Sequence, residues 1–332
     1  MSRCLPDATK TLPLALFLLL SSCMAAGSSD DDDATGGTGG TTAGTGGGSA
    51  ATGGSSAGTG GSSAGTGGSS GTGSLPADPA CPTTRGWSTD TQYGLLQVER
   101  YVLRNNVWNQ TAAGAGAQTL WVNSTRCWGA DASHTDAAPK GTVKSYVDIA
   151  RGWTISTPGF ANPAHGLAIR VSDLRRANIH WKMVAPTTGR TWALWDIYFH
   201  ETNNPGADRA PMNLMIQQRI VDSDGWMQSD SNPWPRVMIG GYSFREKRET
   251  STVSSTRNRV QLYVDQSAGA VLGVDSMTLD LKAVIDYYVA QGQIKATDYL
   301  TSIQAGWEIV SGGTYETKDF WTAVQDEPQP AQ

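Results

Sequence analysis

The chain has 332 residues, carries 25 Lys or Arg against 30 Asp or Glu, and has a formal charge of −5 at neutral pH. Without the two basic and six acidic residues that precede position 79, 23 basic residues face 24 acidic ones, a balance near −1. Nucleic-acid binding needs a cationic footprint and is excluded on that ground; a neutral ligand fits better.

The first residues read as export machinery. Arg3 and Lys10 flank a positive start, and residues 12–20, "LPLALFLLL", form an apolar run too short to span a bilayer as a mature helix. "LSSC" follows, Leu20 to Cys23: a large aliphatic residue, two small ones and a cysteine, the order of a bacterial lipobox. Residues 1–22 are therefore expected to be a lipoprotein signal peptide, with Cys23 taking the lipid; an ordinary secretory signal with a chance cysteine is the other reading. The expected product is an exported lipoprotein, held to a membrane only through its lipid, in the periplasm or at the cell surface. Met24 after the lipidated cysteine, in place of aspartate, favours onward export to an outer membrane where the cell has one.

Residues 23–78 are low in complexity. "GGSSAGTGGSSAGTGG" repeats Gly, Ser, Ala and Thr and cannot bury apolar surface. About 50 such residues make a flexible tether with a root-mean-square reach near 40 Å. Of the four cysteines, Cys4 leaves with the signal and Cys23 is lipidated, so Cys81 and Cys127 remain in an oxidising compartment and pairing is the simplest reading. Two free buried thiols are the alternative. His134, His165, His180 and His200 are scattered, no spacing fits zinc, and no metal or cofactor is expected.

Residues 79–332 form the folded domain, and about 250 residues suffice for one sizeable core. Short alternating runs separated by turn signals read as strands: 119–124, 176–186, 191–201, 212–220, 236–249, 259–265 and 299–310. One segment differs. In 278–293, Leu281, Val284, Ile285 and Tyr288 share a helical face, and Gly292 ends it. Many antiparallel strands with one helix predict an all-β fold, a two-sheet sandwich or jelly roll.

Three strands have a polar second face. Met212, Leu214 and Ile216 point to the core, so Asn213, Met215 and Gln217 point away. Trp195, Ile197 and Phe199 oppose Trp192, Asp196, Tyr198 and His200; Ile303, Ala305, Trp307 and Ile309 oppose Ser302, Gln304, Gly306 and Glu308. Carboxylates for proton transfer, amides for hydroxyls and aromatics for sugar faces are what a carbohydrate cleft needs. Plain alternation on a solvated sheet gives the same pattern.

Five segments resemble glycoside hydrolase family 12, in the family's order. They are "YVLRNNVWN" (101–109), "VKSYVD" (143–148), "LWDIYF" (194–199), "NLMIQ" (213–217) and "YLTSIQAGWEIVSGG" (299–313). The resemblance implies an endoglucanase-like β-jelly roll sandwich of two antiparallel sheets with one α-helix and an open concave cleft, acting on β-1,4-glucan, mixed-linkage glucan or xyloglucan with retention, and a monomer is expected. Retention uses two carboxyl groups about 5–5.5 Å apart. Glu308 matches the family's acid/base, Asp196 the carboxylate that supports the nucleophile, and Met215 the family methionine. Asn105, Asn106 and Trp108 match its substrate-binding segment, with Asn109 in place of a glycine. Two departures fall on one strand: Asn213 occupies the nucleophile position, and Gln217 replaces a tryptophan. Ile309 in place of proline after Glu308 is milder.

An amide cannot form a normal glycosyl ester. The expected protein therefore binds β-glucan at the cell surface with retaining hydrolysis impaired. The alternatives are an inverting hydrolase, with Glu308 as acid and Asp196 as base, and a non-carbohydrate adhesion module on the same scaffold. A shifted register with Glu201 as nucleophile fails on parity with Asp196. With no carboxylate at 213, like-charge elevation weakens, and Glu308 is expected to titrate lower than in an intact relative.

Overall fold

The computed structural model describes residues 81–154, 163–206, 210–223, 234–250, 256–268 and 271–330. The expected signal peptide, Cys23 and the tether lie outside them. The described residues form two large sheets and one α-helix.

The smaller sheet runs, in spatial order, Trp87–Thr89, Gln118–Ser124, Cys127–Ala132, Gly313–Val324, Ala177–Val184 and Ser276–Asp280. The larger runs Arg236–Ile239, Tyr242–Thr250, Thr256–Val264, Ala210–Asp222, Arg190–His200, Tyr299–Ile309, Ser145–Gly152, Tyr101–Asn106 and Leu95–Val98. Neither closes into a barrel. Neighbours along both orders are antiparallel except one pair: Ala210–Asp222 and Thr256–Val264 run parallel.

Inward-facing tryptophans fill the space between the sheets. Trp307 lies 4.9 Å from Trp128 and 5.0 Å from Trp181, and Trp195 lies 6.0 Å from Trp181. Four large rings in edge and stacked contact bury much apolar area, and such pairs contribute about 0.5–1.5 kcal/mol each beyond that area. Trp195 and Trp307 are therefore core residues, and tryptophan richness does not by itself mark a sugar site. Cys81 and Cys127 form a disulfide with their Cα atoms 5.7 Å apart.

Two sequence expectations shift. The 236–249 run is not one strand but a hairpin, Arg236–Ile239 against Tyr242–Thr250. Gly240 and Gly241 adopt φ of 57° and 85°, and two consecutive positive-φ residues make the tight turn that matches strand twist. The helix is Leu281–Ala290, not 278–293: Ser276–Asp280 pairs with Ala177–Val184 as a strand. Asp280 ends that strand and caps the helix, accepting from the Ala283 amide. At the other end Gly292, at φ 69°, donates to Val289 O while Gln293 donates to Tyr288 O, a Schellman stop. Leu281, Val284, Ile285 and Tyr288 are buried as the periodicity predicts.

Candidate active site

The face of the larger sheet turned away from the tryptophan core carries the polar residues. Strand register orders them. Glu308 lies between Tyr146 and Trp192. The next position along, Gly306, lies between Asp148 and Leu194, and Gln304 lies between Ala150 and Asp196. Asp196 in turn faces Met215, and Asn213 lies between Tyr198 and Arg259. Glu308 and Asn213 thus come from the two strands that flank the Asp196 strand. A Cβ on Gly306 would come within 2.3 Å of Val147 O, so close strand approach requires glycine there.

This outer face is well shielded. Asn213 is fully buried, Asp196, Met215, Gln217, Trp192 and Tyr146 are buried, and Glu308 is half-buried. Tyr146, Trp192, Leu194, Met215, Ile220 and Tyr263 form an apolar cluster against which Trp108, Val143 and Trp234 pack. Asn106 shares the face opposite Tyr146 and is half-buried.

Asn213 makes specific contacts. Its Nδ2 donates to Asp196 Oδ1 at 3.1 Å and, more weakly, to Ile197 O at 3.4 Å. Asp196 therefore receives a hydrogen bond from the amide at position 213. Asn213 Oδ1 and Gln217 Oε1 are buried with no hydrogen-bond partner, and Gln217 Nε2 reaches only the soft Met215 sulfur at 3.1 Å. Buried unsatisfied amide oxygens are uncommon and mark positions where a ligand group can complete the bonding.

Electrostatics separate the two carboxyl groups. Burial raises Glu308 to about 7, and the charge of Asp196 adds to the rise. Burial also raises Asp196, but Arg259 and hydrogen bonds from Asn213 and Tyr146 pull it back. Both carboxyl groups are thus raised, and Glu308 is held in part protonated near neutral pH by its burial and by the neighbouring Asp196. A Glu308 raised to about 7 counts against the expectation that it titrates lower than in an intact relative. Asp196 supplies the like charge, and desolvation, the larger cause, was not legible in the sequence.

One expected substrate residue is placed elsewhere. Asn105 has the parity of Leu103 and points between the sheets, fully buried. Its Nδ2 donates to Thr91 O at 3.1 Å, and its Oδ1 accepts from Gln118 Nε2 at 2.8 Å, within a network that includes His134 and Ser145. It braces the strand beneath the site and does not line it. Asn109 likewise holds the backbone, donating to Val143 O at 2.9 Å. Glu201 lies past its strand end, half-exposed and 3.2 Å from Lys295, away from the carboxyl pair.

Sequence reasoning missed several site-face residues. Arg104 binds Asp148 with two 2.8 Å hydrogen bonds and Gln304 Oε1 with a third at 3.1 Å. Burial works against the Arg104 charge, and Asp148 more than offsets it, so the guanidinium pKa lies above its usual value. Arg259 and Tyr146 were also missed, whereas Trp192 lies on the face where alternation put it. Arg104 and Tyr146 lie inside quoted segments, which was the available signal.

These strands form a jelly roll of two sheets, with the polar face outside the core and one capped helix among the described residues. In sequence the chain is 27% identical over 222 residues to endoglucanase S of Pectobacterium parmentieri, covering 64% of this chain and 77% of that protein. It is 24% identical over 223 residues to the xyloglucan-specific endo-β-1,4-glucanase A of Emericella nidulans, covering 67% and 83%. In structure it is similar to a native family 12 xyloglucanase from Bacillus licheniformis, with a TM-score of 0.60 and 22% identity over 72% of this chain and all of that one. No family model matches the chain. The resemblance to glycoside hydrolase family 12 endoglucanases and xyloglucanases holds in sequence and in fold, and the relationship is to glycosidases.

Proposed function

We propose that this protein acts on β-glucan or xyloglucan at the cell surface, as a lipid-tethered member of the family 12 type whose retaining hydrolysis is impaired. The observation that carries the reading is Asn213, fully buried on the site face with its Nδ2 on Asp196 Oδ1. A retaining mechanism needs a carboxylate to attack the anomeric carbon, and an amide there removes the attack while leaving the groove. Loss of an essential nucleophile costs roughly 10^4–10^6 in rate by analogy with proteases, or about 5–8 kcal/mol of barrier, whereas binding does not need that contribution. Trp108, Asn106, Met215 and Gln217 are the proposed sugar contacts; Glu308 is the proposed acid/base and Asp196 the carboxylate that supports the nucleophile position, 213.

The test is reducing-end release from mixed-linkage β-glucan and xyloglucan by the full chain, with Asn213→Glu alongside. Silence in wild type and activity in the variant support the reading. Release by wild type that Glu308→Gln abolishes overturns it.

One observation favours a second reading. Glu308 is raised to about 7 while Asp196 accepts the Asn213 N–H, an acid and a base on the same face. Protonated Glu308 would protonate the leaving oxygen, and ionised Asp196 would take a proton from water attacking the opposite face, inverting the anomer. The anomer of any product separates the two readings.

A further inference from the structure

The site face is not uniform in charge. Its middle carries Asp196 and Glu308, with Asp148 matched by Arg104. The end of the sheet built by Arg236–Ile239, Tyr242–Thr250 and Thr256–Val264 differs. Tyr263 and Gln261 belong to the site face, and their register partners are Arg245 and Lys247. Arg259 pairs in register with Glu249, and Arg245 with Arg236. Arg236, Arg245, Lys247 and Arg259 thus share this end of the face with Glu249 and Asp265, and Arg257, two residues before Arg259 with the same parity, lies 3.8 Å from Glu201.

Each carboxylate is divided between two cations. Asp265 receives Arg236 and, at 3.0 Å, Arg245. Glu249 lies 3.2 Å from Lys247 and 3.6 Å from Arg259, and also accepts from Gln261 at 2.9 Å. Arg259 Nε is buried with no hydrogen-bond partner. The cations are also reachable: the Arg236 side chain is 63% exposed and that of Lys247 33%. Lys247 sits 5.4 Å from the Trp234 ring centroid, and Trp234 sits 4.7 Å from Tyr263, so the charge lies beside an aromatic surface that continues into the site cluster. This local excess of positive charge occurs in a chain that is net negative.

We propose that this end of the site face recognises a carboxylate on the glycan, so that the preferred ligand is an acid-substituted β-glucan rather than a wholly neutral one. The inference rests on the β-glucan reading and adds the substituent. A neutral backbone lies along the middle of the face. A carboxylate carried by a sugar further along meets Arg236 and Lys247, taking up charge that Asp265 and Glu249 each divide between two cations, while the sugar stacks on Trp234. Like charge disfavours the same carboxylate near Asp196 and Glu308, so the substituent is directed to one end of the chain.

The experiment uses two polymers with one backbone, carboxymethyl-cellulose and hydroxyethyl-cellulose, and measures retardation of the full chain in affinity electrophoresis. The expected result is binding to both, with the carboxymethyl polymer bound roughly tenfold tighter at low salt. That preference should collapse at high ionic strength, where the Debye length shrinks to about 3 Å, and in Arg236→Glu and Lys247→Glu. Both side chains reach solvent, and the neutral polymer reports whether each variant keeps its groove. Equal binding of the two polymers overturns the inference and leaves the β-glucan reading standing. A preference that survives both salt and charge reversal overturns the assignment to these residues. Binding to neither polymer overturns the β-glucan reading and the inference with it.

Discussion

Asn213 and Asp196 are joined by a 3.1 Å hydrogen bond from the amide nitrogen to the carboxylate, buried on the outer face of the larger sheet. The bond fixes the amide: with Nδ2 donating to Asp196, Oδ1 is the atom left without a partner. A glutamate at the same place would instead set two carboxyl groups together, one of which would have to hold a proton.

That relationship predicts the behaviour of Asn213→Glu. Reducing-end release from xyloglucan or mixed-linkage β-glucan should rise by on the order of 10^2–10^4 over wild type. Asp196→Asn in the Asn213→Glu background should take back much of the gain, because the new nucleophile loses its partner. Steady-state assays on the three proteins check both steps, and a wild type as fast as the restored variant removes the basis for the prediction.

Glu308 predicts a pH dependence of stability. Its folded pKa of about 7 lies above the ordinary 4.5, so the fold favours the protonated form. Its contribution is complete below pH 4.5 and is lost as pH rises through 7. Thermal melts between pH 4 and 8 should show wild type losing on the order of 1–3 kcal/mol across that window relative to Glu308→Gln, whose side chain does not titrate. Parallel curves for the two proteins would refute the assignment.

The Arg104–Asp148 pair predicts an asymmetry. Both side chains are buried, and the pair makes two 2.8 Å hydrogen bonds. Asp148→Ala should cost about 3–5 kcal/mol in urea unfolding, because it strands a buried guanidinium. Removing both charges together, Arg104→Met with Asp148→Leu, should cost less than the single change, since a buried pair gains little over apolar groups of similar size. A double variant weaker than Asp148→Ala counts against this account.

The disulfide predicts a stability loss of similar size. Cys81 and Cys127 close a loop with a sequence separation of 46. Replacing both by alanine should destabilise by about 4 kcal/mol on the chain-entropy model, read as a lower urea midpoint in oxidised protein. Reductant should then shift wild type toward the variant and leave the variant unchanged.

Period-two alternation was enough to place Asn213, Met215, Gln217, Asp196 and Glu308 on one face, because neighbours along a strand point to opposite sides whatever their surroundings. The helix core was legible for the same kind of reason. Alternation fails where the backbone breaks its own period. Register slips between Gln217 and Arg219, so Gln218 is the inserted residue; it donates to Trp181 O and accepts from Trp195 Nε1, and Ile220 turns to the site face. No residue in that stretch announces the bulge. Asn105 was misassigned because a motif gives a position in sequence, whereas its side of the sheet follows from the strand's register with Ser145–Gly152.

What the sequence determined by itself was chemistry attached to local geometry. It set which residue types alternate, which face of the helix is apolar, and that an amide, Asn213, stands on the polar face of its strand. What only the tertiary structure decided was every property that depends on a neighbour distant in the chain. Glu308 is raised because packing strips water from it and brings in Asp196, 112 positions earlier in the sequence. Arg259 reaches the site through the parallel strand beside Asn213. The cations that gather at one end of the face do so because a Gly-Gly turn folds a run of charges back on itself. Desolvation and Coulomb energy depend on distances in space, and distances in space follow from strand pairing, which no local pattern encodes.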